Sequence, residues 1–145
     1  MILLIVLLIG LGGLVYWQFG DAIKGVFSSS GGTTTTTDTT KPEISKVMAT
    51  AGPTSVRIDW ETNELSSTQV EYGKTKENTS LSELKDDPTS GESIGVLPHS
   101  VTLTGLEPSS TANKIKYYYR VKSKDKAGNE AVSEWKSFET AVPEA

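Results

Sequence analysis

The side chains in this sequence that could carry chemistry are few and scattered. Its one histidine, His99, stands beside Ser100, the two residue types that serve nucleophilic catalysis when the imidazole can take the hydroxyl proton. They lie in HSVTLTGL, a segment that alternates apolar and polar residues. Neighbours on a strand point to opposite faces, so the pair cannot share a hydrogen bond, and His99 reads as a surface histidine at a strand start. Glu83, Asp86, Asp87 and Glu92 crowd one polar stretch and could offer oxygens to calcium. They lack the spacing of an EF-hand and read as a solvated acidic loop. Asn78-Thr79-Ser80 is an N-glycosylation sequon, and Thr33, Thr34, Thr35, Thr36 and Thr37 form a run of candidate O-glycosylation acceptors. There is no cysteine, hence no disulfide or thiolate chemistry. A single histidine excludes multi-histidine metal sites, and no glycine-rich loop cradles a phosphate. The expectation is a protein with no catalytic residue, no metal and no cofactor.

The elements that carry these residues fall into three parts. The chain has 145 residues, 22% of them charged and 36% hydrophobic, with a net charge of -4. Mild acidity without a Lys/Arg cluster argues against nucleic acid as a partner. Much of the apolar content sits in MILLIVLLIGLGGLVYWQF at the front, where the first charge is Asp21. As a helix, the uncharged apolar stretch up to Trp17 would reach about 26 Å, close to the hydrocarbon thickness of a bilayer. It has no polar face, so its place is in lipid or against copies of itself. Three readings fit it: a cleavable signal, a signal-anchor, or a mature N-terminus trimmed of a basic leader. No Lys or Arg precedes the run and nothing like A-x-A follows it, which the third reading explains. Ile2, Leu3, Leu4, Ile5, Leu7 and Leu8 are the bulk of this surface. Gly10 and Gly13 mark either a close-packing face or a bend. Tyr16, Trp17 and Phe19 suit a membrane–water boundary or a contact between subunits.

Residues 28–41, SSSGGTTTTTDTTK, have nothing apolar to bury and read as a linker, either a plain spacer or a glycosylated one. From residue 42 onward the period becomes two. Val56, Ile58 and Trp60 alternate with Arg57, Asp59 and Glu61; Val70 and Tyr72 follow, then Val101 and Leu103 with Leu106 beyond a turn. Tyr117, Tyr119 and Val121 share a face of the next strand, and residues 133–140 supply Trp135 and Phe138. Gly128-Asn129 signals a turn between the last two strands. Short strands at this spacing predict an antiparallel β-sandwich over residues 42–141 with a short tail at 142–145.

Two resemblances extend this reading. The segment LIVLLIGLGGLVYWQFGDAIKGVF resembles the N-terminal helix of type IV pilin-like subunits of the Tad/Flp or archaeal kind, although Ile5 stands where many of them carry glutamate. It implies a helix over residues 1–27 that waits in the membrane and then packs into a filament core. Across residues 42–140, PEISKV, SVRIDWETNELSSTQVEYG, HSVTLTGLEP and YYYRVKSKDKAGNEAVSEW resemble a fibronectin type III domain. The resemblance implies that Trp60 is its core tryptophan on the second strand and that Leu106 and Tyr117 build its tyrosine corner. SSTANKIK lengthens the stretch before Tyr117, and residues 74–97 form a long connection, either an extra edge strand with a loop or a surface flap. Some phosphatases carry a similar domain ahead of a catalytic one. The expectation is a non-enzymatic structural subunit of an extracellular filament on the cell surface, membrane-inserted before assembly. Its partners would be other copies of itself and host or surface ligands. The alternative is a single-pass membrane-anchored type III binding module.

Overall fold

The structure is a computed structural model that describes residues 36–144. The apolar run of residues 1–27, most of the linker, and Thr33, Thr34 and Thr35 lie outside the described residues. Among the described residues no helix is long and apolar enough to cross a membrane.

The alternating sequence folds as two antiparallel sheets. Its strands are β1 (Ile44–Ala51), β2 (Ser55–Ser66), β3 (Gln69–Gly73), β4 (Ser80–Leu81), β5 (Val96–Thr104), β6 (Lys116–Lys124), β7 (Glu130–Val132) and β8 (Lys136–Glu139). One sheet has the order β1-β2-β5; the other runs β4-β3-β6, with β7 and β8 both paired to β6. The register places Ile58 opposite Val101, Val70 opposite Val121, and Tyr117 opposite Phe138. The inward rows therefore meet between the sheets. Val56, Ile58, Trp60, Val70, Val101, Leu103, Leu106, Tyr117, Tyr119, Val121 and Phe138 form the buried core. Each of these side chains stabilises the fold by about 1.5–3 kcal/mol through burial. Trp60 adds a hydrogen bond across the sandwich, its Nε1–H donating to Ser123 Oγ at 3.0 Å.

Two expected core residues lie elsewhere. Tyr72 is only partly buried and packs against the rim of the core. Trp135 is half-exposed on the outer face, with the Arg120 guanidinium 4.6 Å above its ring. The reason is parity. Trp135 and Phe138 are an odd number of residues apart, so an extended chain cannot turn both inward. The strand expected over residues 133–140 is shortened to β8, and residues 133–135 form the break between it and β7. At the break, Ser133 donates its backbone N–H to Val121 O (3.0 Å) and accepts Val121 N–H on its hydroxyl (3.0 Å).

The long connections resolve simply. In residues 74–97 the short strand β4 extends the sheet beside β3, and an isolated bridge joins Thr68 to Lys85. The extra residues before Tyr117 leave the corner intact: Glu107 N–H donates to the Tyr117 hydroxyl at 3.1 Å. The inserted loop is tied at its base by buried Ser109, whose Oγ accepts Ile115 N–H (2.8 Å) and meets Thr140 Oγ1 (3.2 Å).

Candidate functional site

Antiparallel order gathers four segments at one end of the sandwich. β2 ends where β5 begins, at the pair Ser66–Val96, and β3 begins where β6 ends, at the pair Gln69–Lys122. Residues 64–68, 82–95, 125–129 and the incoming chain at 38–43 therefore share that end.

The most elaborate polar arrangement there surrounds His99. It is not a surface residue at a strand start. The strand begins three residues earlier, and His99 is 3% exposed, opposite Trp60 in the register. The two rings stack with centroids 4.9 Å apart and planes 10° off parallel. His99 Nδ1 lies 2.8 Å from Thr68 Oγ1, whose own proton goes to Asp86 Oδ2 at 3.0 Å. A carboxylate only accepts, so the chain has a direction: Nδ1–H donates to Thr68, which leaves Nε2 an acceptor 2.9 Å from Thr62 Oγ1, whose single proton is shared with the Glu64 carbonyl at 2.8 Å. Ser66 Oγ stands behind, 3.2 Å from Thr62 and 3.4 Å from Nε2. Burial pushes the imidazole pKa down to about 4, against a smaller upward pull from Asp86. At neutral pH His99 is thus an uncharged ring sealed between hydroxyls. Ser100 points to the opposite face and is exposed, as the strand argument requires, and its Oγ accepts from Arg57 Nε at 3.2 Å. The buried position was legible in the sequence, because His99 has the parity of Val101 and Leu103.

The expected acidic group does not converge. Asp86 turns inward to Thr68. Asp87 accepts the backbone N–H (3.0 Å) and hydroxyl (2.7 Å) of Thr89 and the Lys124 ammonium (3.1 Å). The Thr89 hydroxyl, above all, holds the Asp87 carboxyl below its ordinary range. Glu83 and Glu92 are exposed. The structure instead brings together Asp38, Glu64 and Asp125, carboxylates far apart in sequence, with oxygens within 4.8 Å of one another. Sequence reasoning missed this trio because the sheet topology alone makes them neighbours. Burial, then the nearby Asp125 and Asp38, raises the Glu64 pKa. Asp125 is buried, which by itself raises its pKa, but donors from Asn129, Ala127 and Gly128 bring it below the ordinary value. Asn129 Nδ2 donates to Asp125 Oδ2 (2.8 Å) and to Asp38 O (3.1 Å), which pins the incoming chain beside the turn. Each of the three could offer one oxygen to a cation, against the roughly six to eight that calcium takes.

These acids rim a cleft of about 790 Å3 whose walls include Leu65, Pro88, Ile94 and Ala127. Ile94 is 76% exposed, the highest value among the exposed large hydrophobic side chains described. Of the candidate glycan acceptors, Thr36, Thr37 and Asn78 are exposed, and Asn78 lies at the opposite end, beyond β3. The site therefore offers a largely apolar hollow with three carboxylates and the Lys126 ammonium at its edge.

A family model described as purple acid phosphatase, N-terminal domain, matches residues 42–140. Among solved structures, the chain is similar to the sixth fibronectin type III domain of a human fibronectin type III domain-containing protein. The two are 17% identical at a TM-score of 0.51, with 79% of this chain and 96% of that one covered. It is similar also to the fibronectin type III domain of human contactin 1, at 18% identity and a TM-score of 0.50, covering 81% of this chain and 95% of that one. A sensor domain of an anti-sigma factor from Pseudobacteroides cellulosolvens is 16% identical at a TM-score of 0.50, with 72% and 93% covered. No curated protein sequence matches. At these identities the solved structures establish the fold.

Proposed function

Because the chain belongs to the family of purple acid phosphatase N-terminal domains, we propose that its β-sandwich is a non-catalytic binding or structural module, displayed outside the cell by a subunit of a surface filament. The observation that carries this reading is the division of labour along the chain. An uncharged apolar run is followed by a Ser/Gly/Thr spacer and then by a self-contained sandwich. Within the described residues every buried side-chain nitrogen and oxygen finds a partner inside the protein. The one histidine is spent on holding the core together, which leaves the surface for contact.

In this reading residues 1–27 pass from the membrane into a filament core, where each helix exchanges lipid for its own kind. Gly10 and Gly13 allow the close approach, and the spacer holds the sandwich clear for adhesion to host or other surfaces. Threonines 33–37 and Asn78 are then placed for glycans. The test is electron microscopy of sheared cell-surface material labelled with an antibody to the sandwich. Labelled fibres are expected, and Gly10→Leu with Gly13→Leu is expected to abolish them while the sandwich stays folded. A lone protomer retained in the membrane without fibres would overturn the filament. It would favour a membrane-anchored binding module, a reading supported by the match between the apolar run and a bilayer's thickness.

A further inference from the structure

The two ends of the sandwich differ in charge and in shape. The end that receives the chain holds the apolar cleft with Asp38, Glu64 and Asp125 at its edge. The far end carries the loop between β5 and β6. There a turn is closed by Ser110 N–H to Asn113 O (2.8 Å) and Asn113 N–H to Ser110 Oγ (3.0 Å). Pro108 and Ala112 are exposed on this loop, followed by exposed Lys114 and Lys116, and neither lysine takes part in an ion pair among the described residues.

We propose that the cleft docks the loop of residues 108–116 of a second copy of this chain, so that sandwiches associate head to tail with Lys114 placed against the carboxylate trio. Three features support the fit. The trio is a local excess of negative charge that Lys126, which also lines the cleft, offsets only in part, and the loop is a local excess of positive charge. Small apolar residues on the loop meet the Leu65, Pro88, Ile94 and Ala127 walls. The loop is also braced from within by buried Ser109, so little ordering entropy is lost on docking. The chain's net charge of -4 makes copies repel on average, so the attraction is confined to these two patches and weakens with salt. Because cleft and loop are different surfaces, the contact is heterologous and propagates instead of closing on a two-fold axis. It is weak for a free pair and strengthens where many copies are held on one support. The inference does not depend on how residues 1–35 are anchored.

The chain has no cysteine, so single cysteines report the contact cleanly. Full-length Ile94→Cys and Ala112→Cys proteins are mixed under mild oxidation. Disulfide formation between the two variants is expected to be at least about tenfold faster than within either alone. Adding Glu64→Lys to the first is expected to bring the rate to background, and adding Lys114→Glu to its partner to restore it. Equal rates in all mixtures, a dominant Ile94→Cys homodimer, or a cross-link indifferent to both charge changes would overturn the proposal. So would protection of the Ile94→Cys thiol by calcium or a lysine-rich peptide in the absence of the mixed cross-link.

Discussion

Acidification should weaken this sandwich through His99 before the carboxylates with lowered values respond. In the unfolded chain the imidazole titrates near its ordinary value of 6.5, whereas in the folded protein burial holds it at about 4. Because the folded value is depressed, the unfolded state binds the proton first. The contribution is neutral above pH 6.5 and turns against the folded state as pH falls, levelling off below about pH 4. Each pH unit between the two values costs about 1.4 kcal/mol, and integrating between pH 7 and pH 5 gives a loss of about 2 kcal/mol. The groups facing the ring are the hydroxyls of Thr62, Ser66 and Thr68, the Trp60 indole and, through Thr68, the Asp86 carboxylate. Glu71, Asp87 and Asp125, all with lowered values, lose their contributions only below about pH 4.5. Glu64, raised by burial and by its acidic neighbours, acts with the opposite sign and recovers stability as it protonates. Urea unfolding of the full chain at pH 7 and pH 5, followed by the β-sheet circular dichroism signal, measures the loss. The variant His99→Gln, which cannot titrate, should be flatter across that window by about the same 2 kcal/mol. Since the chain has one histidine, its imidazole NMR signals give the folded pKa without assignment. A value of 6 or above, or a stability equal at both pH values, would refute the reasoning.

Two further outcomes follow from burial and from backbone geometry. Trp60→Ala should cost about 3–5 kcal/mol, since it empties the centre of the core and leaves Ser123 without its donor, while Trp135→Ala on the outer face should cost under about 1 kcal/mol; thermal unfolding of the two variants separates them. Gly95→Ala should destabilise by about 2 kcal/mol or more in the same assay, because Gly95 has a φ of 85° and a Cβ there would lie 2.7 Å from Ser66 N. A Gly95→Ala protein as stable as wild type would mean that the segment before β5 can shift away from β2.

The β-sandwich was legible in the chain because strand alternation is a local property. Val56, Ile58 and Trp60 face inward in any sheet that buries one side, and the same holds for Tyr117, Tyr119 and Val121. The outward place of Trp135 and the inward place of His99 follow from parity as well, which is also local. The apolar front of the chain likewise announced itself by composition alone.

Neighbourhood across the fold was a different matter. Nothing in the spacing of Asp38, Glu64 and Asp125 brings them together. They meet because the end of the linker, the β2–β3 corner and the β6–β7 turn are delivered to one end of two packed sheets. The relay from Ser66 through His99 to Asp86 likewise joins β2 and β5, through Thr68 at the β2–β3 corner, to the loop after β4. Local periodicity determines which face a side chain takes. Only the pairing of distant strands decides what it finds there, because a contact between residues many tens of positions apart is a property of the closed fold and not of any segment within it.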